Sequence, residues 1–320
     1  MKILLVGRGR KKTRTEYFVK VALKENDHQV YVFDDVKLSQ LLGRSAVQVL
    51  LKSMIAFLQP DLVYFAKASK LSVSSIRRIS AKVLTVMWYF DIRKSLDPMV
   101  LERAKQVGLF VTVSSELSKR FEAAGVKNVW HLPQAFTQHI LQMKPRENIK
   151  PTDVAFIGNN RGAEARIRLL KKIGTQFQLT VWGSGWAGFQ DSFIVPDKKV
   201  FNKDYVSICQ NSRIVLATPT EESYSSVRHY FSNRVWLTLG SGGFLLHKYH
   251  EGMDDYFKDQ KHLVFFQDDN DCLEKIQYYL SHEEERKNIA YSGQRYVLEH
   301  HTYRVRIEAL MQYVSRNLRV

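Results

Sequence analysis

Short apolar runs recur along the chain, each closed by a glycine, a proline or a polar cluster, and the apolar positions between several of them follow helical spacing. KILLVG ends at Gly7, and an amphipathic helix is predicted from about Thr15, with Thr13 and Glu16 spaced as a capping box. QVYVFD, DLVYF after Pro60, KVLTVMWYFD, LFVTVSS and NVWHLP continue the strand series. A second series, DVAFIG, FQLTVWG, RIVLAT, GGFLL and LVFFQD, alternates with helices predicted near residues 163–173, 203–211, 227–239 and 272–280. Alternating strands and helices predict an α/β chain with two doubly wound parallel sheets. The polar stretch from Met143 to Thr152, with Pro145 and Pro151, reads as the linker. The expected domains are residues 1–145 and 150–300, with a final helix over 301–320 packing back on the first.

Length and composition add limits. With 320 residues, 45% of them hydrophobic, the chain can bury the cores of two domains. No uninterrupted apolar run reaches the 18 or so residues of a membrane span, and MKILLVG lacks the basic start of a signal peptide, so a cytoplasmic protein without a transmembrane segment is expected. Cys209 and Cys272 stand too far from other cysteines to suggest a metal cluster or disulfide framework.

Charge changes the picture more. Residues 1–150 carry 26 Lys and Arg against 12 Asp and Glu, a net +14, whereas residues 151–320 carry 22 against 20. One domain is therefore expected to meet a polyanion. The first strand runs into Gly7-Arg8-Gly9-Arg10-Lys11-Lys12, which starts like a dinucleotide fingerprint but has Lys12 at the third glycine, weakening an oxidoreductase reading. Arg8, Arg10, Lys11, Lys12 and Arg14 crowd this loop, and Lys67 and Lys70, then Arg93 and Lys94, follow later strands. In a parallel sheet such loops share the carboxyl edge, where ligands bind. Asp91 follows VLTVMWYF at that edge and is the candidate general base, a strand-end cap or ion-pair partner being the plainer role.

In the second half, Gly158 ends a strand, and Arg161, Arg166 and Arg168 open the next helix, a place that favours phosphate; ordinary exposed arginines are the alternative. Gly183 and Gly185 let a ligand approach the backbone after another strand. Arg234 stands at a helix start, and Gly242 and Gly243 precede GGFLL, completing the candidate donor-binding set. Asp269 and Asp271 form an Asp-x-Asp pair of the kind that can hold a metal-bound nucleotide, but immediately before a helix they read as capping residues. Histidines 247, 250, 262, 282, 300 and 301 lack a zinc-ligand pattern and read as structural.

Arg234 with its helix, Gly242-Gly243, EGMDDYF, the YYL-HEEER helix, Gly293 and His301-Thr302-Tyr303 with Arg306 resemble the C-terminal domain of the CgeB-like (spore maturation protein type) glycosyltransferases, within the GT-B fold. The resemblance implies two Rossmann-like domains facing a cleft. It also implies a nucleotide-diphosphate sugar in the second domain, an acceptor in the first, and no obligatory metal; the donor is expected to be UDP-linked, with no cofactor required. Gly158, Arg161 and Arg234 match family positions. The family's glutamate three residues after that arginine is Leu237 here, which cannot accept a hydrogen bond from a donor ribose. Phage DNA glucosyltransferases are similar in architecture only.

The expected activity is an inverting sugar transfer onto a polyanionic acceptor, first of all a 5-hydroxymethylpyrimidine of phage-type DNA, with the basic loops on its phosphates. An anionic envelope polymer or lipid-linked glycan is the rival acceptor. A catalytically lapsed GT-B protein that binds nucleic acid is the non-enzymatic rival.

Overall fold

A computed structural model describes residues 1–92, 95–143, 149–160, 163–196, 200, 202–219 and 227–318. The chain divides into unit 1, Met1–Pro133 with Tyr303–Val320, and unit 2, Gln134–Thr302. The division falls ahead of the polar stretch expected to link the domains, of which residues 144–148 lie outside the described residues.

Unit 1 is built on a six-stranded parallel sheet of order β2-β1-β3-β4-β5-β6. Its strands are β1 (Lys2–Val6), β2 (Gln29–Phe33), β3 (Leu62–Phe65), β4 (Leu84–Tyr89), β5 (Leu109–Thr112) and β6 (Val129–His131). β1, β3 and β5 are near-continuous apolar runs because both faces are covered by helices. Those helices are α1 (Thr15–Glu25), α2 (Asp35–Leu58), α3 (Val73–Ser80), α4 (Pro98–Ala104), α5 (Ser115–Ala123) and the last helix, α11 (Tyr303–Asn317). Tyr313 of α11 stacks on Trp130 at 4.7 Å, and Asn26 Nδ2 donates to Arg304 O at 3.1 Å.

Unit 2 holds a five-stranded parallel sheet of order β11-β10-β9-β7-β8. The strands are β7 (Thr152–Ile157), β8 (Leu179–Trp182), β9 (Ser212–Ala217), β10 (Leu245–Lys248) and β11 (Val264–Phe266). Its helices are α6 (Glu164–Gly174), α7 (Asn202–Gln210), α8 (Asn233–Gly240), α9 (Asp269–Ser281) and α10 (Glu283–His300). Phe156, Leu170, Trp186, Leu216, Phe266 and Ile276 form the centre of its core.

Both sheets reverse winding direction once. In unit 1 the chain runs β1 to β2 on one side and then crosses to β3 on the other; in unit 2 it runs β7 to β8 and then crosses to β9. Each sheet therefore has a topological switch point, between β1 and β3 and between β7 and β9, where the outgoing loops part and leave a crevice.

Two local expectations fail. Thr13 caps nothing: α1 begins at Thr15 with Arg14 as its extended N-cap and no side-chain cap bond, while Glu16 lies in the first turn, where it suits the helix dipole. Residues 227–232 are not helical, and α8 starts at Asn233. Among the described residues, α2 has the length and mean composition of a membrane span, although no uninterrupted apolar run in it does.

Candidate functional site

At the switch point of unit 2, two arginines grip the main chain. Arg234, in the first turn of α8, donates through Nη1 to Ile157 O at 3.1 Å and through Nη2 to Thr218 O at 3.2 Å, joining the carboxyl ends of β7 and β9. Arg166, from α6, is 3% exposed and donates through Nε to Thr218 Oγ1 and through Nη1 to Asn159 O, both at 3.0 Å, and through Nη2 to Pro219 O. Both guanidinium groups lie over the ring of Phe156, at 5.3 and 5.6 Å. Carbonyl partners hold each guanidinium in one orientation, so this edge is rigidly built around two arginines.

The glycines belong to the same construction. A Cβ on Gly158 would stand 2.4 Å from Arg234 Nη1, so the missing side chain is what lets Arg234 reach Ile157. Gly183 sits at φ +140°, and a Cβ there would lie 2.2 Å from Gly158 O, which leaves the β7 and β8 loops no separation for a side chain. These loops are stitched further: Trp186 Nε1 donates to Gly158 O at 2.7 Å, Ser184 N to Asn159 Oδ1 at 3.0 Å, and Asn160 Nδ2 to Gly185 O at 2.9 Å. Arg161 lies outside the described residues, and Arg168 is exposed on α6.

Gly242 and Gly243 do not join this site, which corrects the sequence expectation. They lie in the turn from α8 into the start of β10, and in a parallel sheet a helix-to-strand turn comes to the amino edge, opposite the strand exits. Their role is to end α8. Gly242 at φ +79° donates to Leu239 O, and Gly243 donates to Thr238 O, the paired bonds of a Schellman motif. A cavity of about 650 Å³ opens there, lined by Asp153, Arg213, Gly242, Phe244, Glu283 and Arg286 among others.

The carboxyl edge also buries two histidines. His247, the penultimate residue of β10, has Nδ1 2.6 Å from Lys248 O, and burial, aided by His250 and Arg234, pulls its pKa down to about 3. His250 lies against Phe231, and burial lowers it to about 4. Leu237 is 6% exposed in the packed face of α8. Asp271 and Asp269 are engaged by Lys275 and Lys172, while Asp268 caps α9.

Unit 1 deploys its charge differently at its own switch point. The loop after β1 is a series of turns, Lys11 N to Arg8 O and Arg14 N to Lys11 O, that hold Arg10, Lys11, Lys12 and Arg14 in solvent with Arg8 half-buried. None of the five forms an ion pair among the described residues. Their mutual repulsion is felt nearby: Lys20 has its pKa lowered by partial burial, then by Lys24, Arg10 and Lys12.

The neighbouring loop after β3 is braced from behind. Arg103 donates to Ser69 O and Leu71 O, and Lys70 N donates to the buried Asp35 at 3.3 Å. Lys67 Nζ lies 2.5 Å from Asp91 Oδ2, both half-exposed, so the loops after β3 and β4 meet through this pair. Arg93 and Lys94 lie outside the described residues.

Phe156, Asn159, Asn160 and Thr218 were not singled out from sequence. The Asn-Asn pair after Gly158 was the available signal, because short amides at a strand exit bond the adjoining backbone. Phe156 and Thr218 carry no signal until the fold brings the arginines to them.

Residues 164–312 match the family model described as glycosyl transferase-like, a span that includes α6, Arg234 and α8. No curated protein matches the chain. Among solved structures, Anabaena HepE in complex with UDP and glucose superposes with TM-score 0.69 at 12% identity, covering 98% of this chain and 99% of that one. Sucrose-phosphate synthase from Thermosynechococcus elongatus gives TM-score 0.69 at 10% identity, with 98% of each chain covered. A Rickettsia africae glycosyltransferase gives TM-score 0.65 at 12% identity, with 99% of each covered. Likeness over the full chain establishes the two-domain GT-B fold.

Proposed function

We propose that the protein is a glycosyltransferase that takes a nucleotide-diphosphate sugar in unit 2 and an acceptor hydroxyl in unit 1. The observation that carries this is the glycosyl transferase-like match over residues 164–312, centred on a switch point held by Arg234 and Arg166. The structure of HepE with UDP-glucose, which has the same fold, supports a UDP-linked donor. Arg234 and the start of α8 then face the diphosphate, while Arg166 positions the loop beneath it. In the reaction Asp91 takes the proton of the acceptor hydroxyl and the freed oxygen bonds the anomeric carbon. The bond to the phosphate oxygen breaks, and the nucleoside diphosphate leaves with the electron pair, its charge met by Arg234. Lys67 orients the Asp91 carboxylate. One displacement at carbon gives inversion.

The acceptor we favour is a hydroxymethylated base of DNA, because five basic residues that form no ion pair among the described residues crowd a single switch-point loop, as phosphate contacts demand. The resemblance to CgeB-like enzymes supports the sugar chemistry and is silent on the acceptor.

The test is incubation with a panel of UDP- and other nucleotide sugars and either hydroxymethylated or plain DNA, followed by mass analysis of the nucleosides. A hexose added only to the hydroxymethylated base, and lost in Asp91→Asn, is expected. No sugar gained on DNA with any donor, while the donor is still hydrolysed, would move the acceptor to an anionic envelope polymer. No turnover of any donor would leave a lapsed enzyme, in keeping with Leu237.

A further inference from the structure

The helix α2 carries the strongest surface feature that the transferase reading leaves unused. Gly43, at φ +82° and ψ 163°, breaks it into two arms, Asp35–Leu42 and Arg44–Leu58. Along the second arm Val47 and Leu51 are buried in the core of unit 1, with Met54, Ile55 and Leu58 packed beside them. The opposite side should be polar on an ordinary surface helix. Instead Val49 (64% exposed), Leu50 and Phe57 (87% exposed) fall with Ala46 and Ala56 within an arc of about 120° at 100° per residue, an arc in which Ser53 is the one polar residue. Leu41 (68% exposed) and Leu42 extend the apolar surface along the first arm.

The charges on this helix select its partner. Lys37, Arg44 and Lys52 are exposed along it, the acid in its sequence, Asp35, is buried, and none of the three cations forms an ion pair among the described residues. A second copy would set these cations against like charge, in a unit that carries 27 Lys and Arg against 12 Asp and Glu. A nucleic acid would satisfy the cations and leave Phe57, Leu50 and Val49 in water. An anionic lipid surface satisfies both, taking the apolar side chains into the acyl boundary and the lysines into the headgroups. A span is ruled out by the packing: Val47 and Leu51 are committed to the core, and α2 connects β2 to β3 of one sheet.

We infer that α2 is an interfacial anchor, by which unit 1 lies on an anionic bilayer through Val49, Leu50 and Phe57 flanked by Lys37, Arg44 and Lys52. This does not depend on the transferase reading, since it uses no residue of either switch-point site.

The test is sedimentation of the full chain with vesicles of phosphatidylcholine alone or mixed with phosphatidylglycerol. Wild-type protein is expected to pellet with the mixed vesicles and to bind phosphatidylcholine alone weakly. The triple variant Val49→Ser, Leu50→Ser, Phe57→Ser should lose at least about tenfold in partitioning with an unchanged thermal transition, because exposed side chains contribute little to folding. Lys37→Gln, Arg44→Gln, Lys52→Gln should lose about tenfold or more and leave a residue insensitive to salt. The inference is overturned if the serine triple binds mixed vesicles as the wild type does, or if wild-type protein fails to bind them at low salt. It is equally overturned if the serine triple converts a dimer into monomers in sedimentation equilibrium with vesicle binding unaltered.

Discussion

The two switch points have the same topology and opposite uses of positive charge. Between β7 and β9, Arg166 and Arg234 are built into the fold, bonded to the carbonyls that end the strands and packed on Phe156. Between β1 and β3, Arg10, Lys11, Lys12 and Arg14 stand on turns in solvent, and the bracing is left to Arg103 and Asp35 behind the next loop. The first arrangement suits one small, fixed anion met in one geometry. The second suits an extended anion whose charges need neutralising more than orienting. A cation near a strand end is therefore not one kind of feature: burial and carbonyl partners separate the two kinds, and neither is visible in the sequence.

The largest effect that would break the comparison is on stability. Arg166→Ala removes the donors of Asn159 O, Thr218 O and Pro219 O together and is expected to destabilise unit 2 by about 3–5 kcal/mol, read from denaturant unfolding. A loss under 1 kcal/mol would mean that the guanidinium is not structural. Gly158→Ala approaches the same edge more gently. Its Cβ displaces Arg234 from Ile157, so kcat/KM for donor turnover should fall about a hundredfold while stability drops by about 1–2 kcal/mol. Activity equal to wild type would remove Arg234 from the donor site.

Acid separates the units next. His247 and His250 are held neutral in the folded protein, at about 3 and about 4 against an ordinary value of 6.5. Folded values below unfolded ones give stability that is complete above about pH 6.5 and is lost as pH falls toward 4, since unfolding then takes up protons. Each group costs about 1.4 kcal/mol per pH unit in that window, so the pair removes about 2–3 kcal/mol between pH 6 and pH 5. His250→Phe, which keeps the ring contact with Phe231, should halve the slope. An unfolding midpoint flat from pH 7 to 5 would contradict it.

The sequence made the strand series legible because apolar runs closed by Gly or Pro need no tertiary knowledge, and the glycosyltransferase resemblance carried the two-domain plan. Gly242 and Gly243 were misplaced because a glycine pair beside a strand looks alike at either end, and only chain direction decides which edge it meets. Arg166 and Arg168 look alike in sequence, as phosphate candidates or as exposed arginines, and only the fold buries Arg166 against Asn159 and Thr218 while leaving Arg168 in solvent, because helical spacing does not say which arginine turns inward. The apolar outer face of α2 was hidden by its inner one, since the two interleave in sequence and only burial tells them apart.

The smallest effect on stability is the most telling for the acceptor. Arg10→Gln, Lys11→Gln, Lys12→Gln removes three exposed charges that make no ion pair among the described residues, so unfolding free energy should stay within about 0.5 kcal/mol of wild type. It should rise, if anything, because relief of repulsion lets Lys20 hold its proton more easily. Binding to duplex DNA should behave in the opposite way. If each residue meets one phosphate, the slope of log affinity against log salt becomes shallower by about 3, with the largest loss of affinity at low salt. The arginines of unit 2 cannot mimic this pattern, because removing them weakens the fold first. A variant with wild-type stability and an unchanged salt slope would show that the exposed cations of unit 1 do not track a phosphate backbone, and the contrast between the two switch points would then be one of burial alone.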